Sequence, residues 1–141
     1  MIDVLISVSG WLLVLLLPVT IALPFRVRRA ARIASADDPS GRHLRRHYRL
    51  GYLIASVALG HAAVSTGTGD ALRAGGTGLT LATGALLLVC VQVVLGLLLR
   101  EPSLRDRPAL RRRHVWVMVG IVTLAFGHIA LNSAFIHRIV G

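Results

Sequence analysis

The chain has no lysine, only six acidic residues and one cysteine among its 141 residues. Cys90, the lone cysteine, excludes a disulfide within the chain. Charge is also missing from four long stretches, residues 4–25, 50–69, 74–99 and 114–137. Each is long enough to cross about 30 Å of hydrocarbon as a helix. With a mean hydropathy of +0.71, the sequence predicts an all-α membrane protein, a single four-helix transmembrane bundle with helices near 4–24, 45–66, 78–99 and 110–136.

The sixteen arginines are sorted by loop: eight lie within 26–49 and six within 100–113, and only Arg73 and Arg138 lie elsewhere. Because basic residues are retained in cytoplasmic loops, we expect both arginine-rich loops in the cytoplasm. Both termini and the 70–73 turn are then expected outside, with the chain in the cell's inner (plasma) membrane. This sorting explains the net charge of +10 through membrane topology and argues against nucleic acid as a partner.

One pattern occurs twice, as RRHYRLGYLIASVALGHAA over 45–63 and RRHVWVMVGIVTLAFGHIA over 112–130. Both segments begin Arg-Arg-His and end Gly-His-x-Ala, with the two histidines of each segment fourteen positions apart: His47 and His61, His114 and His128. In addition, residues 9–26 align without gaps on 83–100, which matches Gly10 with Gly84 and Arg26 with Arg100. The sequence therefore indicates a tandem duplicated helical hairpin, in which the two histidine-bearing helices run parallel.

The fourteen-residue spacing has a geometric meaning on a helix. Fourteen steps of about 100° return to within about 40° of the starting direction, so both histidines of a helix share a face, about 21 Å apart along the axis. Parallel helices then place His47 level with His114 and His61 level with His128. Two facing imidazoles at each of two depths suit two six-coordinate haems. A zinc site fits less well because structural zinc takes four ligands.

Ordinary histidines are the alternative interpretation. His47 and His114 lie at a predicted membrane boundary, where histidine is common, whereas His61 and His128 lie deep in apolar segments, where an ionisable side chain usually has a function. His43 shares the face of His47, so it competes as a ligand in principle, although a surface role is favoured. Without a Cys-x-x-Cys-His motif, a haem here is held without thioether links.

With its two His-x13-His helices, second and fourth of four, the chain resembles the N-terminal haem-binding half of the cytochrome b family of quinol-oxidising complexes. The resemblance covers nearly the whole chain in topology and rests on His47, His61, His114 and His128. It implies a bundle that holds two b haems, each with two axial histidines: His47/His114 on the cytoplasmic side and His61/His128 on the outer side. Ferric reductases also use helices of this kind.

Further candidate contacts surround the histidines. Arg46, Arg49 and Arg113 are placed to pair with haem propionates, although they serve equally well as positive-inside anchors. Glycines on helices one and three either admit a flat porphyrin or provide close helix packing; these are Gly10, Gly84 and Gly96. Gln92 and Asn132 are candidate quinone or propionate contacts, or else interhelical hydrogen-bonding groups.

Three functions follow in order of preference. The first is an electron-transfer subunit that links the membrane quinone pool to a redox partner protein or larger respiratory complex through two haems; it is a subunit of an oxidoreductase more than a complete enzyme. The second is a stand-alone oxidoreductase of ferric reductase or superoxide oxidase type that acts at the outer haem. The third is a haem-free anchor or small transporter, disfavoured because no predicted span carries the acidic residue that small multidrug exporters need.

Overall fold

The computed structural model describes residues 2–33, 40–69, 76–101, 103 and 105–132. These residues form four helices: α1 (Ile2–Ile33), α2 (Ser40–Gly67), α3 (Gly76–Leu98) and α4 (Arg107–Asn132), and no strand occurs among them. The predicted all-α class with four long apolar helices is therefore confirmed. The chain divides into two compact units, Met1–His61 and Ala62–Gly141, with the division inside α2, and each unit is described by itself below.

The predicted helix bounds hold for α3 and for the end of α2, but α1 is longer than predicted. It continues through Pro24 to Ile33, nine residues beyond the predicted end at 24. The apolar stretch does end at Leu23, yet the following residues FRVRRAARI are rich in alanine and arginine, which are strong helix formers. For α4, residues 133–136 of the predicted span lie outside the described residues, as do Arg73 and Arg138.

The start of α4 is fixed by local polar contacts. Asp106 precedes the helix, and its carboxylate Oδ1 accepts a hydrogen bond from the Ala109 backbone N–H at 3.4 Å, the arrangement of a helix N-cap. Pro108 follows in the first turn, where its missing N–H costs nothing. The Arg107 guanidinium donates to the Leu99 carbonyl at 2.9 Å, so a cation closes the end of α3. The turn between α3 and α4 is thereby held at both ends.

Many large apolar side chains of the described helices are exposed. Trp116 is 68%, Leu15 66% and Phe126 65% exposed, whereas Ile121 is the single buried hydrophobic residue in the part of the chain that the structure describes. All four helices contain segments long and apolar enough to cross a membrane: Val4–Leu23, Arg45–Gly67, Gly76–Leu98 and Arg107–Asn132. Exposed apolar surface on such helices suits contact with lipid, as expected of a multi-pass membrane protein.

Within the second unit, α3 and α4 pack closely where leucines of one helix meet glycines of the other. A Cβ built on each of three glycines would lie 2.9–3.2 Å from a leucine methyl group. The glycines let the helix backbones approach, as small residues do in membrane helix pairs. The three contacts are Gly84 with Leu124, Gly120 with Leu88, and Gly127 with Leu81.

Candidate functional site

The four repeated histidines lie on α2 and α4, and each is half-buried. We call His47 and His114 the arginine-side histidines, because each follows an Arg-Arg pair, and His61 and His128 the far-side histidines. Both histidines of the α2 pair contact α1, and both of the α4 pair contact α3. Each pair therefore shares one face of its helix, as the fourteen-residue spacing predicts.

Ser9 of α1 fixes the protonation of the His61 ring. Its hydroxyl oxygen lies 2.9 Å from His61 Nδ1 and also 2.9 Å from the Ile6 carbonyl. The carbonyl can only accept, so the hydroxyl proton is directed to Ile6, and the Ser9 oxygen accepts from the Nδ1–H of His61. The Nδ1 of His61 therefore carries a proton.

His128 is held in the same tautomer by a different group. Its Nδ1 lies 3.0 Å from the backbone carbonyl of Gly78 on α3, which can only accept, so Nδ1 carries the proton. Asn132 lies against the same ring: its amide nitrogen donates to the His128 carbonyl at 3.0 Å and lies 3.2 Å from Nδ1, where two donors face each other and form no hydrogen bond. Gly78 is buried, and Asn132 packs so closely on it that any added Cβ would clash with the amide.

The arginine-side histidines are bonded differently. The amide nitrogen of Gln92 on α3 lies 3.1 Å from His114 Nε2. An amide nitrogen only donates, so His114 Nε2 accepts with its lone pair. The amide oxygen of Gln92 is buried and has no hydrogen-bond partner in the part of the chain that the structure describes. On the other hairpin, the His47 ring is hydrogen-bonded to the backbone of Thr20, a buried residue of α1.

Two of the three predicted glycines lie beside a histidine ring. A Cβ on Gly10 would lie 3.5 Å from His61 Cε1, and a Cβ on Gly96 would lie 3.8 Å from His114 Cε1. Gly84 instead faces Leu124, so in this structure it serves the packing of α3 on α4. The predicted arginines all have exposed side chains next to the arginine-side histidines in sequence; these are Arg46, Arg49 and Arg113.

Three residues of the site carried no signal in the sequence that singled them out. Ser9 and Thr20 are ordinary small polar residues of an apolar helix, and Gly78 acts through its backbone carbonyl, which every residue possesses. The antiparallel register of the hairpin would have found Gly78. Gln92 lies opposite His114. Because the two helices are antiparallel, the residue fourteen positions before Gln92 lies opposite the residue fourteen positions after His114. These two residues are Gly78 and His128.

The described residues hold no group of three or more His, Cys, Asp or Glu side chains able to bind a metal ion. That is compatible with a bis-histidine haem, which takes two protein ligands. No protein-family model, curated protein or solved structure matches the chain.

Proposed function

We propose that the chain is a di-haem b-type cytochrome that carries electrons across a membrane. In this proposal His61 and His128 ligate one haem b, and His47 and His114 ligate the other. The observation that carries the proposal is the pair of hydrogen bonds at Nδ1 of the far-side histidines, 2.9 Å to Ser9 and 3.0 Å to Gly78. Histidines that bind a metal through Nε2 regularly donate their Nδ1–H to such an acceptor.

The far-side histidines suit haem as axial ligands. Each far-side ring donates its Nδ1–H to an acceptor on the neighbouring helix, which fixes the orientation of the ring as in metal-binding histidines. Gly10 brings the α1 backbone against the His61 ring without a side chain. At the arginine-side level the fit requires one change, since the Gln92 amide engages His114 Nε2 and must move aside before that nitrogen binds iron. A bound haem supplies one-electron transfer at a potential that its axial ligands and surroundings set.

Three exposed arginines suit contact with the propionates of the proposed haem. Arg46, Arg49 and Arg113 are exposed beside the arginine-side histidines, where their guanidinium groups would pair with haem propionates. We further propose that this arginine-rich side faces the cytoplasm, that both termini lie outside, and that the protein resides in the inner membrane. The electron donor or acceptor is then the quinone pool on one hand and a redox partner protein on the other.

The test is the spectrum of the purified protein. Reduction with dithionite should give the α and Soret bands of b haem, and a haem assay should give two haems per chain. His61→Ala and His128→Ala should each remove one haem, and the same one, whereas His137→Ala, outside the repeat, should keep both. A colourless wild-type protein, or loss of different haems in the two far-side variants, would reject the proposal.

A second measurement separates a subunit from a stand-alone oxidoreductase. An electron-transfer subunit hands its electrons to a partner, so the purified protein alone should turn over quinol, ferric iron or superoxide slowly. The same preparation mixed with membranes from its own cell should be reduced or reoxidised much faster. Rapid turnover without any partner would favour the stand-alone enzyme instead.

A further inference from the structure

The far-side and arginine-side histidines differ in which ring nitrogen their neighbour occupies. At His61 and His128 the neighbouring group accepts from Nδ1–H. That hydrogen bond survives when Nε2 takes a metal, because it uses the other side of the ring. At His114 the neighbour is a donor, and it occupies the Nε2 lone pair itself.

The Gln92 hydrogen bond therefore has two opposite effects on the ability of His114 to bind iron. By donating to Nε2, its amide nitrogen keeps the His114 proton on Nδ1, which is the tautomer that a metal ligand through Nε2 requires. The same hydrogen bond must break before iron binds, and the amide would then seek a new partner in a half-buried site. Its oxygen is already buried without a partner in the described part of the chain, so the amide is incompletely satisfied where it stands.

We propose that Gln92 is a positioning residue that sets the His114 tautomer and competes with haem iron for His114 Nε2. The proposal rests on the proposed di-haem function. It makes the Gln92 amide, and not the histidine alone, a determinant of how tightly the arginine-side haem is held. At the far-side histidines the neighbours Ser9 and Gly78 instead accept from Nδ1.

The first part of the test needs no haem. In apoprotein labelled with ¹⁵N-histidine, the nitrogen shifts report which ring nitrogen carries the proton. Wild-type His114, assigned by its loss in His114→Ala, should show an unprotonated Nε2. In Gln92→Glu the new carboxylate accepts instead of donating, so the proton should move to Nε2. An unchanged His114 tautomer in Gln92→Glu would overturn the positioning role.

The second part is a haem titration of the apoprotein, with the two sites assigned by His114→Ala and His128→Ala. Gln92→Leu removes the competing donor and should tighten the arginine-side site by about fivefold, the factor that a typical net hydrogen bond contributes. Gln92→Glu should weaken that site, because its tautomer is wrong for iron. The far-side site should be unchanged in both variants, which also shows that they are folded.

Thr83→Val is the matched control, since Thr83 lies exposed on the same helix and its hydroxyl bonds only within α3, to the Leu79 carbonyl at 2.9 Å. It should leave both sites as in the wild type. If Gln92→Leu and Gln92→Glu change the arginine-side affinity in the same direction, or not at all, the proposal for Gln92 is wrong while the di-haem function stands. If the wild-type protein takes up no haem, both proposals fail.

Discussion

At the scale of the residue, a neighbour that can only accept a hydrogen bond determines which nitrogen of a histidine ring carries a proton. A backbone carbonyl cannot donate, and a serine hydroxyl whose proton is already used cannot donate either. Placed against Nδ1, such groups fix a proton on that nitrogen. In an apolar segment this matters twice, because a charged ring there is costly and an unsatisfied N–H also costs free energy.

Ser9→Ala tests this at His61. The variant removes the acceptor of the Nδ1–H, so the imidazole becomes a poorer ligand, and we expect far-side haem affinity to fall about tenfold. The midpoint potential of that haem should rise, because a less basic ligand stabilises ferric iron less. Haem titration and a redox titration measure the two effects. Ser7→Ala, on an exposed position of the same helix, should change neither, and equal effects of both variants would contradict the assigned role.

Gly78→Ala tests the site at His128. The new methyl group would clash with the Asn132 amide, so either Asn132 or α3 must move, and the Gly78 carbonyl shifts away from His128. We expect a loss of about 1–3 kcal/mol in the free energy of unfolding, typical of overpacking. Unfolding of the detergent-solubilised protein measures it. Gly76→Ala places a methyl group in open space two residues earlier and should be nearly neutral.

At the scale of the element, α3 and α4 show how a membrane hairpin holds together without a hydrophobic driving force. Leucines of one helix pack on glycines of the other, so dispersion contacts and close backbone approach take the place of water exclusion. The contacts Leu81 with Gly127 and Leu88 with Gly120 are seven residues apart on both helices. This packing sets the register that brings Gln92 to His114 and Gly78 to His128.

Gly120→Val should weaken this hairpin by about 1–3 kcal/mol, since its Cβ alone would lie 2.9 Å from Leu88 Cδ1. Adding Leu88→Ala creates space for the valine and should recover much of the loss, so the two changes should be non-additive. Unfolding in a mixed-detergent series gives the three free energies. Gly51→Val, at a glycine of α2 with nothing within 4 Å, is the control, and an equal cost there would refute the packing argument.

Spacing and composition were enough to predict the four helices and the shared faces of the histidine pairs. Gly10 and Gly96, which were predicted to admit a porphyrin or to allow close packing, lie beside histidine rings. Spacing and composition were not enough for Ser9, Thr20 and Gly78, because hydrogen bonds from a backbone or a single hydroxyl leave no periodic trace in a sequence. Gly84 was predicted either to admit a porphyrin or to allow close helix packing, and Leu124 lies against it. Gly10 and Gly84 are equivalent in the repeat, but the side chain opposite each glycine determines what that glycine contacts.

At the scale of the whole molecule, the duplication is visible inside each hairpin. In both, the second helix turns two histidines toward the first, and the far-side ring donates from Nδ1 to an acceptor there. The acceptors differ in kind, a hydroxyl in one hairpin and a carbonyl in the other. The same hydrogen bond from Nδ1 is therefore made to two chemically different neighbours.

Topology is the prediction that belongs to this scale. In a Cys90→Ser background, a cysteine at Ser103, in the exposed turn before α4, should react with a membrane-impermeant maleimide only from the cytoplasmic side. A cysteine at Thr68, exposed at the end of α2, should react only from the outer side. Labelling of intact and opened cells distinguishes the two. The reverse pattern would invert the proposed orientation while leaving the four spans intact.

The unexpected length of α1 gives the molecule a feature above the lipid. With Val4–Leu23 in the hydrocarbon region, the ten residues that remain of α1 continue as a rigid post about 15 Å tall. A soluble reactant that approaches the membrane at this end of α1 would meet the protruding helix before it reaches the lipid surface. A protein that docks at this end would have to accommodate the ten helical residues in the shape of its own surface.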